Sequence, residues 1–143
     1  MRTPRRGERG ATLVEFAMIA PIMCALVFGI IDFAWIFGQY QDVRHGAREA
    51  ARLATVNTDT DANMTTTVQN SMNLAGTATV TFVDGPTGCI GSIGRVTVTA
   101  PVGSLTGFAS LPFVGALYPA TMTSSVDFLL EQDSTNWGAN SCP

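Results

Sequence analysis

Gly10–Ala11 and Glu15–Phe16 make the one grouping in this chain whose residue types and spacing have a chemical logic. A basic leader ends in Gly10 and meets an apolar helix that carries a single carboxylate five residues further on. If the chain is cut after Gly10, Ala11 becomes a new amino terminus and Glu15 lies little more than one helical turn inside it. A carboxylate in a membrane segment is costly, about 2.5–3.5 kcal/mol for Asp at the helix centre and less near the interface. Such a group usually has a partner, and the free amino terminus of a neighbouring copy is an apt one. The ordinary alternative is a first-turn glutamate interacting with its own helix dipole.

Other groupings are weaker. Cys89 and Cys142 fall in the part expected outside the membrane, where disulfides persist. Paired, they close a loop of about 53 residues and stabilise the domain by roughly 4 kcal/mol in the chain-entropy picture. Two free thiols or an intermolecular bond remain open on sequence alone. Asp59, Asp61 and Asn63 match the start of a calcium loop, but the positions that need Gly and Glu are Met64 and Asn70. Gly85, Gly88, Gly91 and Gly94 recur every third residue, too few triplets for a collagen helix and with no Gly-Lys-Ser/Thr after them. They read as a hairpin loop. One histidine, His45, leaves no His-rich zinc site. No nucleophile with an activating base is evident, so the chain is expected not to be an enzyme, and no cofactor or metal is expected.

The element that must position these residues is the apolar run over residues 10–37. No charged residue occurs from Phe16 to Ile31, and from Leu13 to Phe37 about 25 residues are broken only by Glu15 and Asp32, enough to cross a hydrocarbon core of roughly 30 Å. The C-terminal remainder of the chain is too polar and threonine-rich to wrap such a rod as the core helix of a soluble protein. Arg2, Arg5, Arg6 and Arg9 precede it against Glu8, which predicts a cytoplasmic N-terminus and an extracytoplasmic C-terminal domain. A secretory signal has the same outline, but the run is long for one and no small-x-small site occurs between its end and Gln39.

All eight basic residues are arginine, and with the leader at +3 and the whole 143-residue chain at −3, the remainder carries −6. A mildly acidic body without lysine argues against nucleic-acid binding.

Beyond Phe37 the helical pattern continues as an amphipathic extension over residues 38–56, with Tyr40, Val43, Ala47, Ala50, Ala51 and Ala54 on one face. Together the two stretches predict one rod of about 40 residues. Phe33, Trp35, Phe37 and Tyr40 cluster where the rod leaves the bilayer, as aromatic belts do. Arg44, Arg48 and Arg52 line another stripe. They read as a solvated face with Glu49 paired to Arg48 or Arg52, or as a basic strip that contacts an acidic partner subunit. Asp32 is expected near the outer interface, hydrated or capped by an outer arginine, with contact to a partner subunit as the other reading. Ala17, Pro21, Ala25 and Gly29 recur at four-residue spacing and make a smooth stripe suited to close helix packing, with plain lipid exposure as the alternative. Pro21 is expected to kink or loosen the helix, because it lacks an amide proton and crowds the carbonyl of Ala17.

Residues 57–62 are a polar break, 63–75 a short second helix stopped at Gly76, and 77–83, 95–102 and 120–130 three strands. Asp84-Gly85-Pro86 reads as a turn, and residues 103–119 as an apolar but irregular connection. The fold class is thus α+β: a long N-terminal transmembrane helix running into an amphipathic helix packed on a small antiparallel sheet. The domains are a leader at 1–10, the transmembrane helix at 11–37, the extension at 38–56 and a small extracytoplasmic domain at 57–143.

Several of these elements together resemble the TadE-like family, pseudopilins or minor pilins of the Tad (type IVc) tight-adherence pilus system. The resemblance spans roughly residues 9–54. It is carried by Gly10 with Glu15 and Phe16 at the family's spacing, by Pro21, by Gly29, Ile30, Asp32 and Phe33, and by the element Ala-Arg-Glu-x-Ala-Arg at 47–52. Ala34 stands where many relatives are expected to have Gly.

The resemblance implies cutting between Gly10 and Ala11 by a prepilin peptidase, a pilin-like fold, and a part in pilus assembly for surface adherence. The implied partners are the major Tad pilin, a TadF-type minor pilin, the inner-membrane Tad assembly platform and the lipid bilayer. By analogy with type IV pilins, it also implies that Glu15 pairs with a neighbour's amino terminus. The alternative function is an unprocessed, single-pass anchored module that binds or adheres through its outer domain.

Overall fold

A computed structural model of the chain describes residues 8–56, 59–75, 77–83, 89–110 and 114–131. It begins with a single helix, α1, over Glu8–Val56, 49 residues long. At 1.5 Å per residue this is a rod of about 73 Å. The helix already includes Glu8 and Arg9 of the leader, and it runs unbroken from the apolar into the amphipathic half, as the sequence predicts. Helical backbone also continues through Pro21.

A second helix, α2, spans Asp61–Ser71. It starts two residues earlier than the apolar spacing suggested because Thr60 caps it, its side chain accepting from the Asn63 amide at 3.4 Å. Asp59 Oδ1 accepts from the Thr60 amide at 2.8 Å and from Asn63 Nδ2 at 2.7 Å, so the residues that imitate a calcium loop build this cap. The chain leaves α2 at Met72 in extended conformation, and Met72 and Ala75 reach the core from beyond the helix. α2 thus ends four residues short of the end expected at Ala75, so Gly76 is not its stop; Gly76 itself, and Asp84, Gly85 and Pro86, expected to turn, lie outside the described residues.

The sheet has three strands, β1 (Thr79–Val83), β2 (Ile93–Pro101) and β3 (Thr121–Leu129), antiparallel in the order β1-β2-β3. Alternation sorts its faces. Outward lie rows such as Thr79–Thr99–Thr123 and Thr81–Thr97–Ser125, inward rows such as Phe82–Val96–Val126. The inner face packs on α1, where Ala47, Ala50 and Ala54 are wholly buried and let the sheet approach closely. Val43, Met64, Val68, Val98 and Leu130 complete a core that draws nothing apolar from α1 before Ile36. Gly94 lies under the ring of Phe128, which fills the space where a side chain would stand.

The result is an α+β arrangement: a long apolar helix, a short second helix and a small antiparallel sheet. The connection from β2 to β3 carries two short 3₁₀ turns, Phe108–Ser110 and Gly115–Leu117.

Candidate assembly surface and the Asp32 clasp

The apolar half of α1 is long and apolar enough to cross a membrane, and none of its most apolar stretch is buried within the protein. Leu13, Phe16, Met18 and Ile22 are all more than half exposed. The chain thus folds its own domain without using this surface, which leaves about 1.5–3 kcal/mol of potential burial per large apolar side chain to be realised by lipid or by other helices. Gly10, Ala11, Glu15 and Phe16 are exposed at the start of this segment, and Glu15 has no partner among the described residues. Ala17, Pro21 and Ala25 are likewise open, so a neighbouring helix could approach along them. Gly29 differs. It is half-buried and borders a groove of about 300 Å³ shared with Phe33, Ile36, Tyr118 and Pro119. The groove continues past Phe37 and Tyr40 into a second hollow of about 390 Å³, closed on its other side by Thr121 and Met122. The small-residue stripe therefore leads into a trough between α1 and the start of β3.

Asp32 is where sequence and structure part. It is neither hydrated nor capped by an arginine, but fully buried. Its Oδ2 accepts hydrogen bonds from Ser104 Oγ at 2.9 Å and from the Tyr118 hydroxyl at 3.2 Å, and its Oδ1 accepts from the Thr106 amide at 2.9 Å. Ser104 Oγ in turn accepts from the Gly107 amide at 2.9 Å. A residue with no exposed surface is not available to a partner subunit, so the expected contact role of Asp32 is replaced by an internal one.

Two turns further along α1, Gln39 brackets the same connection. Its Nε2 donates to the Gly103 carbonyl and its Oε1 accepts from the Gly103 amide, both at 3.1 Å. One turn beyond, Asp42 Oδ2 accepts from the amides of Leu74 at 2.7 Å and Ala75 at 3.0 Å, tying the exit of α2 to α1. Sequence reasoning singled out neither Gln39 nor Asp42. The available signal was three polar residues, 32, 39 and 42, placed on the helix where two turns and then nearly one turn return them to one side.

The arginine stripe faces away from the alanine face. Arg52 pairs with Glu49 at 2.6 Å and 3.0 Å, and this hydrogen bond, with the charge behind it, holds the Glu49 carboxyl below its ordinary range. Arg44 lies over the Tyr40 ring, 5.7 Å from its centroid. Arg48 is exposed. On the sheet's outer face Arg95 forks onto Asp127 at 2.6 Å and 3.1 Å, and this hydrogen bond likewise lowers the Asp127 carboxyl. Cys24 is a free, exposed thiol in the apolar half of α1. Cys89 is disulfide-bonded, and Cys142, its expected partner, lies outside the described residues.

Residues 10–52 match the family model of the TadE-like protein, the family to which the sequence is similar. The matched segment covers the apolar half of α1 and most of the amphipathic half, and leaves the sheet unmatched. No curated protein and no solved structure matches the chain.

Proposed function

Taking residues 10–52 as a TadE-like segment, we propose that this protein is a pilus-associated minor pilin, or pseudopilin, of the Tad type, a structural subunit that acts through helix packing and subunit contacts. The observation that carries the reading is the pairing of that family match with an apolar helix half left wholly uncovered by its own domain. In a single-pass anchor the uncovered surface faces lipid; on assembly it packs against other pilin-type helices. Ala17, Pro21 and Ala25 offer the close-approach side. Cleavage between Gly10 and Ala11 by a prepilin peptidase releases the new amino terminus, and Glu15 pairs with that of a neighbour. Arg44, Arg48 and Arg52, on the exposed side of the extension, contact acidic faces of partner subunits.

Peptide mass spectrometry of the N-terminus, on native protein extracted from membranes, tests this. The expected result is a mature terminus at Ala11, lost in Gly10→Glu. An intact leader in cells with an active peptidase would turn the reading to a permanently anchored binding module. Glu15→Ala is expected to leave cleavage and insertion largely intact while weakening piliation; normal piliation would remove the proposed pairing.

A further inference from the structure

We propose that the described parts of the connection between β2 and β3, residues 102–110 and 114–120, form a second membrane-contacting element, seated in the outer leaflet beside α1 and held there by Asp32. The inference rests on the reading of α1 as a membrane helix. The arginine-rich leader ends at Arg9 and uninterrupted apolar sequence begins at Phe16, so the hydrocarbon core starts between these positions. About 20 residues cross roughly 30 Å, which brings the outer boundary to between about residues 30 and 36. Asp32 lies within about one turn of that boundary wherever in the interval it falls.

Whatever touches Asp32 shares its depth. Ser104, Thr106 and Tyr118 all do, at hydrogen-bond distance. Tyr118 and Pro119 also border Gly29, about 4.5 Å deeper along the helix. The connection therefore descends the side of α1 into the leaflet instead of turning back in water.

Its composition suits that place. Arg95 and Asp127 are the charged residues that frame it, and none of the residues between them carries charge. Leu105 is 57% exposed, and Ala116 and Pro119 are also exposed. Apolar residues in a charge-free stretch are unfavourable facing water and favourable at the acyl boundary. Irregular backbone at this depth is tolerated only where its polar groups are satisfied by protein. The clasp does this at both ends: Gln39 takes the amide and the carbonyl of Gly103, and Asp32 takes the Thr106 amide with the Ser104 and Tyr118 hydroxyls. In exchange, a carboxylate that would otherwise meet lipid is fully covered. Helix and connection seal each other.

The test is fluorescence of the full-length protein in phosphatidylcholine vesicles, labelled with the environment-sensitive dye NBD. The native thiol of Cys24 reports the helix. Leu105→Cys in a Cys24→Ser background reports the connection, and Thr66→Cys in the same background reports a water-facing site on α2. Labelling omits reductant, so the disulfide of Cys89 stays closed, and Cys24→Ser alone supplies the background signal. The expected result is a blue-shifted emission from position 105, lost when lipids carry a doxyl quencher near the headgroup and insensitive to aqueous iodide. Quenching by iodide equal to that at position 66 overturns the proposal, and if the Cys24 label is still quenched by doxyl lipid, the membrane reading of α1 stands without it. Shielding of position 105 from both quenchers means that another protein chain covers the connection, which also overturns the proposal. Iodide quenching at Cys24 as well removes the membrane reading together with the inference.

Discussion

Asp32 accepts hydrogen bonds from Ser104, Thr106 and Tyr118 of a distant connection and has no exposed surface. Asp32→Asn keeps the size of the side chain but replaces one acceptor oxygen by a donor amide, which then confronts a hydroxyl or an amide. Asp32→Leu removes both acceptors. Stranding a buried polar group costs about 1–3 kcal/mol, and thermal unfolding in detergent should register a loss of that order, larger for Leu than for Asn. An unchanged midpoint would mean that water enters and replaces the carboxylate. The surface pairs behave differently. Glu49 and Asp127 have carboxyls lowered by Arg52 and Arg95, so each adds stability that is present above the ordinary carboxylate range and disappears as pH falls through the lowered value. Because these pairs are exposed, their contribution is small and screened by salt. Unfolding measured as a function of pH should show a shallow acid loss that Asp127→Asn reduces and that high salt flattens.

Among the elements, α1 meets the exit of α2 at Gly46, where the sulfur of Met72 occupies the position a side chain would take. Gly46→Leu must displace Met72 from a site where it is almost fully buried, and overpacking of this kind costs about 1–3 kcal/mol. Amide exchange should show faster opening at Leu74 and Ala75, whose amides Asp42 holds just past Met72, before it shows any change in the sheet. The elements themselves were legible in the sequence. Period-two alternation located β1, β2 and β3 to within about two residues, and three- and four-residue spacing exposed the alanine face of α1. The start of α2 was missed by two residues because Asp59 was weighed as an ion ligand and Thr60 was left in the polar break, where the two instead build a cap. The clasp was not legible at all. Asp32 and Ser104 are 72 positions apart and Gln39 and Gly103 are 64 apart, and no local period links residues that only the return of the sheet brings together. What sequence did offer was the oddity of a carboxylate at the end of an apolar run, and it misled: placed at a water boundary, Asp32 read as hydrated, when a loop supplies what water would have supplied.

For the molecule as a whole, the buried apolar residues begin at Val43 and the clasp begins at Asp32, whereas α1 from Gly10 to Phe28 is open except the half-buried Ala20. The domain's core and the uncovered apolar surface thus belong to different halves of one helix. In the proposed pilin role, a separation of this kind would let the apolar half exchange lipid for other helices without disturbing the sheet, and it can be measured by truncation. A chain beginning at residue 30 retains Asp32, Gln39, Asp42 and the whole core, and should unfold in a single cooperative thermal transition once mild detergent covers Phe33 and Phe37. A chain beginning at residue 41 retains Val43 and the alanine face but lacks Asp32 and Gln39. It should keep the sheet, with a lower midpoint and faster amide exchange over residues 102–106, because the donors of that connection have lost both acceptors. If the two truncations unfold alike, the clasp adds nothing to the domain's stability, and its hydrogen bonds serve only to position the connection against α1. If the chain from residue 30 fails to fold at all, the exposed half of α1 is part of the folding unit, and anchoring and folding are not separable.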